Sequence, residues 1–129
     1  MEKKLKCAIL DDELPGLSYL KLLCEKIPSI EVVKAFADPR QFMDQIQTLE
    51  VDFCILDIEM PYFNGLQVAE LIKEIPVIFS TAYRDYAPEA FDLNAVDYLR
   101  KPISQDRLQQ AIEKVREKIK PSEPKIITF

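Results

Sequence analysis

Asp11, Asp12, Asp57, Thr81 and Lys101 each stand at the end of a short apolar run. In an open α/β sheet, ligands bind beyond the carboxyl ends of the strands, where the strand order reverses. If the first and third runs form neighbouring strands, the carboxylates of Asp11, Asp12 and Asp57 converge within a few ångströms. Three such anions repel unless a cation or a proton compensates them. All the ligand atoms are oxygen, so the match is a hard cation, and Mg²⁺ suits a site with few carboxylates and several waters. Lys101 supplies a second positive charge and Thr81 a hydroxyl. A hydroxyl, an ammonium and a divalent cation around one carboxylate make a cradle for phosphoryl oxygens. Asp57, in the middle, is placed to accept a phosphoryl group as an aspartyl phosphate.

The elements that must position these residues alternate in type along the chain. Apolar runs at Leu5–Leu10, Ile30–Phe36, Phe53–Leu56, Val77–Phe79 and Val96–Leu99 read as strands. Runs without polar alternation are buried on both faces, which suits a parallel sheet between helices. Helical periodicity follows each run. Pro15 opens a first helix that Pro28 ends, with Leu17, Leu20 and Ile27 on its stripe. Asp38, Pro39 and Gln41 read as an N-cap, a first-turn proline and a capping-box partner, for a helix reaching Leu49. Asn64 caps a third helix bearing Leu66, Ala69 and Ile72, and a weaker fourth lies around Pro88 to Leu93. Ser104 caps the clearest one, with Leu108, Ala111, Ile112, Val115 and Ile119 on one face. Five strand-then-helix units with right-handed crossovers predict a doubly wound α/β fold. The cationic residues Lys114, Arg116, Lys118 and Lys120 alternate with Glu113 and Glu117, which predicts a solvated face.

The composition narrows the chemistry further. A chain of 129 residues is the size of one domain and can bury a core without staples. It contains no His, so an imidazole base, a Ser-His-Asp triad and a His-ligated metal are excluded. Two Gly leave no glycine-rich phosphate loop. The net charge of −5 opposes nucleic-acid binding by this segment. Cys7, Cys24 and Cys54 are an odd number without metal-ligand spacing, and two of them sit inside apolar runs, as small hydrophobes of a reducing compartment would. The N-terminal apolar run is too short for a signal peptide and no run approaches a membrane span, so the expected location is cytoplasmic, with no membrane partner.

Four motifs in order carry a family resemblance over about residues 5 to 120. They are Ala8-Ile9-Leu10-Asp11-Asp12-Glu13, Ile55-Leu56-Asp57-Ile58-Glu59-Met60-Pro61, Phe79-Ser80-Thr81-Ala82 and Tyr98-Leu99-Arg100-Lys101-Pro102. The chain resembles the receiver domain of two-component response regulators. The resemblance implies a flavodoxin-like sheet of strand order 2-1-3-4-5 with five helices. It implies phosphorylation of Asp57 by a sensor histidine kinase, and Mg²⁺ held by Asp11, Asp12, Asp57 and the backbone carbonyl of Glu59. Lys101 and Thr81 would bind the phosphate, Thr81 and Tyr98 would form the switch, and Glu59 and Tyr83 would tune the phosphate lifetime. A cis peptide before Pro102 is implied too, as is homodimerisation through the face of the fourth helix, fifth strand and fifth helix.

The stretch from Thr81 to Pro102 is similar to regulators with a LytTR-type DNA-binding output domain. Residues 1–120 then form the receiver, and 121–129 a linker and the start of an output domain, so DNA binding belongs to residues outside this sequence. The missing His is one half of a divided reaction, whose other half sits on the kinase. Two alternatives stay open. Asp57-Ile58-Glu59 faintly resembles the Asp-x-Asp motif of haloacid-dehalogenase-type, Mg²⁺-dependent phosphohydrolases, and the chain could also be an interaction module that is never phosphorylated.

Overall fold

The five apolar runs become five parallel strands in the computed structural model, which describes residues 4–61, 63–82 and 95–119. In chain order the elements are β1 (Leu5–Leu10), α1 (Leu14–Glu25), β2 (Ile30–Phe36), α2 (Pro39–Ile46), β3 (Phe53–Asp57), α3 (Gly65–Leu71), β4 (Val77–Thr81), β5 (Ala95–Arg100) and α4 (Gln105–Ile119). The sheet order is β2-β1-β3-β4-β5, the doubly wound arrangement expected. Four helices are thus described, and the helix expected around Pro88 to Leu93 lies outside the described residues.

Every residue of β3 and β4 is buried, which is why these runs carry no polar alternation. Successive side chains enter opposite layers. Ile9, Ile55 and Ile78 pack with α1 and α4, whereas Leu10, Leu56 and Phe79 pack with α2 and α3. Burying one such side chain is worth roughly 1.5–3 kcal/mol, so the two layers pin the strands against slippage. The edge strand β2 exposes Glu31 and Lys34, which discourages pairing with another chain. All three cysteines are free and buried, and burial pushes the Cys54 thiol up to about 12. No helix among the described residues is long and apolar enough to cross a membrane.

The helix ends refine the expectations. Asp38 caps α2 by accepting from the Arg40 N–H at 2.9 Å, rather than through the anticipated box with Gln41. A reciprocal capping box instead opens α3, where Asn64 and Gln67 each accept the other's backbone N–H at 2.9 Å. Helix α2 stops at Ile46, short of Leu49, because the Gln45 carbonyl accepts both the N–H and the hydroxyl of Thr48. Ser104 caps α4 as expected, accepting from the Arg107 N–H at 3.1 Å.

The cationic face of α4 is solvated at Glu113, Lys114, Glu117 and Lys118, as expected, and two of its cations also reach back to the body of the domain. Asp97, opposite Ile78 in the ladder, is 3% exposed and lies under α4. Both terminal nitrogens of Arg107 donate to it at 2.8 Å, and Lys114 Nζ joins at 3.1 Å. Arg116 donates to the Ser29 carbonyl at 3.3 Å. Part of that face therefore ties the helix to the sheet, because a buried carboxylate must find cations; Lys120 lies outside the described residues.

Burial works to raise the Asp97 pKa, and hydrogen bonds from Arg107, the Tyr98 N–H and Lys114 outweigh it, leaving the carboxyl below its ordinary value. A lowered folded pKa adds stability that is present above the unfolded value and fades as pH falls through the folded one. Asp97→Ala is expected to cost about 2 kcal/mol at pH 7, because both cations lose a buried partner. Urea unfolding checks this: the loss should shrink below pH 4, and a loss independent of pH would contradict it.

Candidate functional site

Register brings the polar residues together like steps on adjoining stairs. Leu10 pairs with Leu56, so the next residues, Asp11 and Asp57, emerge side by side from β1 and β3. Asp57 pairs with Ser80, which places Thr81 one step beyond on β4. Thr81 pairs with Arg100, and the Lys101 N–H donates to the Thr81 carbonyl at 2.7 Å. The peptide between Lys101 and Pro102 is cis, as the resemblance implied. Beyond it, the Tyr19 hydroxyl donates to the Ile103 carbonyl at 2.8 Å, and Gln105 donates to the Leu23 carbonyl at 3.1 Å. These two bonds fasten the loop carrying Lys101 onto α1.

The carboxylates of Asp11, Asp12 and Asp57 each offer an oxygen within 4.8 Å of the others. Asp11 and Asp57 are 1% and 2% exposed, and the Lys101 ammonium donates to both at 3.2 Å. Burial first, then the neighbouring Asp11 carboxylate, pushes Asp57 up to about 7 against the downward pull of Lys101. Burial likewise disfavours the Lys101 ammonium, but Asp57 and Asp11 outweigh it and raise its pKa. Asp11 also accepts from the Glu13 N–H at 3.0 Å, so the helix-capping role open to it coexists with the pocket role. Asp12 Oδ1 is buried with no hydrogen-bond partner among the described residues. An orphaned buried carboxylate oxygen beside two others fits a hard divalent cation such as Mg²⁺, which would take up that oxygen and relieve the repulsion.

Thr81 is fully buried and its hydroxyl donates to Glu59 Oε2, while the Ala82 N–H donates to Glu59 Oε1 at 3.3 Å. Tyr98 is half-buried opposite Phe79, on the same side of the sheet as Thr81, and packs against the α2–α3 layer. Tyr83 lies outside the described residues. The structure thus gathers Asp11, Asp12, Asp57 and Lys101 in one cluster and sets Glu59 with Thr81 beside it.

Both glycines also belong to the site, a role not anticipated from the sequence. A Cβ on Gly16 would lie 2.9 Å from Asp11 Oδ2, and one on Gly65 would lie 2.3 Å from the Asp57 carbonyl oxygen. Gly65 approaches closely enough to donate its N–H to the Ile58 carbonyl at 2.9 Å. At Gly65 the obstacle is main chain, so only a residue without a side chain fits there; no local sequence pattern signals either contact.

The model of the response regulator receiver domain matches residues 7–113. The chain belongs to that family. LytR, a transcriptional regulatory protein of Staphylococcus aureus, is 34% identical over 116 residues, covering 87% of this chain and 47% of its own. NatR, a transcriptional regulatory protein of Bacillus subtilis, is 32% identical over 117 residues, covering 88% and 50%. The chain spans about half the length of the curated relatives it matches. The response regulatory domain of mrkE from Klebsiella pneumoniae superposes with a TM-score of 0.80 at 30% identity, over 88% of this chain and 97% of that one. Receiver domains are partnered by sensor histidine kinases and generally bind Mg²⁺ at an acidic pocket, where this receiver has its aspartate cluster.

The raised Asp57 pKa has a consequence for stability. A carboxyl whose folded pKa lies near 7, against 3.8 ordinarily, costs the fold nothing below pH 3.8. The cost then grows until pH passes 7. In metal-free buffer, Asp57→Asn is expected to raise the unfolding temperature by about 4 °C or more at pH 8, with a smaller gain at pH 5.5. Equal gains at the two pH values in calorimetry would contradict the raised Asp57 pKa.

Proposed function

We propose that this receiver is a phosphorylation-operated switch: Asp57 accepts a phosphoryl group from a phosphohistidine of a sensor kinase, with Mg²⁺ bound at Asp11, Asp12, Asp57 and the Glu59 carbonyl. The observation that carries this reading is the Lys101 ammonium, set 3.2 Å from both Asp11 and Asp57 beside the buried Thr81 hydroxyl. An Asp57 carboxylate oxygen attacks phosphorus, the oxygen–phosphorus bond forms, the phosphorus–nitrogen bond breaks, and its electron pair returns to the leaving imidazole. Mg²⁺, when bound, supplies charge to the phosphoryl oxygens. Lys101 holds one oxygen of the product, and Thr81 turns to hold another.

That turn is what converts chemistry into signal. Movement of Thr81 frees space on the side of the sheet shared with Tyr98, and Tyr98 rotates to follow it. The surface of β5, α4 and the helix expected before β5 then changes its preference for partners, including a second copy of the chain. A phosphate shifts such an equilibrium only by binding one state better, and Lys101 with Thr81 provide that difference. We place the receiver at residues 1–120 and read 121–129 as a linker to a LytTR-type DNA-binding domain, so the whole protein regulates transcription in the cytoplasm. The two transcriptional regulators it resembles support this reading. The chain accepts a phosphoryl group, and can assist its own phosphorylation and dephosphorylation, without turning over a substrate. The phosphohydrolase alternative gains no support from a site whose second carboxylate, Glu59, is engaged by Thr81 and Ala82.

Incubation with acetyl phosphate and Mg²⁺ should add one phosphoryl group by intact mass and then stop. Asp57→Asn and chelation of the metal should each abolish labelling, and Lys101→Ala should slow it roughly tenfold or more. Continued release of phosphate from small phosphoesters would favour the hydrolase, and no labelling at all the plain interaction module.

Glu59 and Tyr83 are assigned to the phosphate lifetime, restricting or orienting the water that attacks the aspartyl phosphate. Glu59→Ala and Tyr83→Ala should each change the dephosphorylation half-life severalfold, by about 1 kcal/mol in the barrier. Unchanged half-lives would remove both from that role.

A further inference from the structure

The side chain of Glu59 occupies a position that the aspartyl-phosphate reading needs for something else. Its two oxygens take one donor each: the Thr81 hydroxyl on Oε2, and the Ala82 N–H on Oε1 at 3.3 Å. These donors belong to consecutive residues at the end of β4, one step along the ladder from Asp57. A hydroxyl and a backbone N–H side by side form a two-pronged anion seat, in which each prong binds one oxygen of a carboxylate or of a phosphoryl group. The third donor of the pocket, the Lys101 ammonium, is already shared between Asp11 and Asp57.

We propose that the Glu59 carboxylate is an internal occupant of the phosphoryl seat, holding Thr81 and Ala82 until a phosphoryl group on Asp57 displaces it. This rests on Asp57 being the phosphoryl acceptor. The two anions cannot share the seat, because they need the same donors and repel each other. The exchange leaves neither the buried Thr81 hydroxyl nor the exposed Ala82 N–H unsatisfied, since one acceptor replaces another. The apparent affinity for the phosphoryl group is then its intrinsic affinity less what Glu59 gives up on leaving. Glu59 thereby sets how fully the site is occupied. That role is separate from any effect on attacking water, and it acts even on a ligand that cannot be hydrolysed.

Beryllofluoride, a non-covalent phosphoryl stand-in, tests this in the presence of Mg²⁺, with the Ala82 amide followed by NMR. Glu59→Ala should bind it about tenfold tighter than the unaltered chain, as expected when charge-assisted competition at two donors is removed. Glu59→Gln keeps an acceptor but loses the charge, and should fall between the two. It also carries the test if the alanine variant does not fold.

The decisive readout is a double-mutant cycle with Thr81→Val. Its penalty should be several times larger in the Glu59→Ala background, where the Thr81 hydroxyl no longer has to leave the Glu59 carboxylate. Charge removal alone would give the same penalty in both backgrounds. Unchanged affinity in both Glu59 variants, or an additive cycle, overturns the proposal. If the unaltered chain neither binds beryllofluoride nor labels at Asp57, the acceptor reading falls and this inference falls with it. If Asp57 labels and the Glu59 variants bind as before, only the internal-occupant inference is lost.

Discussion

The contact on which the rest of the site depends is the one between the Lys101 ammonium and the two buried carboxylates of Asp11 and Asp57. Two nearly inaccessible anions at the ends of adjacent strands are tolerable only with a cation between them. Three segments far apart in sequence have to agree for that to happen. The β1–β3 register sets the carboxylates side by side, and the β4–β5 register delivers Lys101. The Tyr19 and Gln105 hydrogen bonds then hold the following loop against α1. One cation does not fully offset burial and the neighbouring Asp11 carboxylate, which together raise the Asp57 pKa, and the Asp12 oxygen is left without a hydrogen-bond partner among the described residues. A divalent cation and a phosphoryl group would each meet a site already biased to receive them.

The fold was legible because its signal is repetitive. Strands buried on both faces must be continuous apolar runs, and Phe53–Leu56 and Val77–Phe79 are such runs. The acidic cluster was legible for a related reason, since charged residues that abruptly end such runs have few places to go. Features that depend on what lies across a gap were harder to read. Asp97 looks like one polar residue in a strand, and nothing local announces that Arg107 and Lys114, one heptad apart on α4, converge on it. The box between Asn64 and Gln67 and the Asp38–Arg40 cap differ by one residue in which amide is reached, a choice made by backbone geometry. That Glu59 turns toward Thr81 rather than solvent depends on the end of β4, which lies beyond the reach of local pattern.

The two layers around the sheet divide the labour. On the α1–α4 side stand the carboxylates, Lys101 and the Asp97 ion cluster, so that side is held by charge as well as by apolar packing. On the α2–α3 side Phe79, Leu56 and Tyr98 pack as hydrocarbon and aromatic surface, with Thr81 at the strand end. A rotation of Thr81 in the second layer exchanges its hydrogen bond to Glu59 but leaves the Lys101 and Asp97 ion pairs of the first layer in place. The proposed Thr81–Tyr98 coupling therefore lies on the side that does not hold those ion pairs.

The two glycines tie the backbone down in a further sense. Both are committed to close contacts, Gly16 against the Asp11 carboxylate and Gly65 against the Asp57 main chain, and the chain has no others. The molecule thus has no glycine pivot in reserve. Among the described residues, a change of state that turns on no glycine can use rotation of side chains between staggered wells, a motion that is small and discrete. Such a scaffold suits a two-position relay better than a hinged clamp.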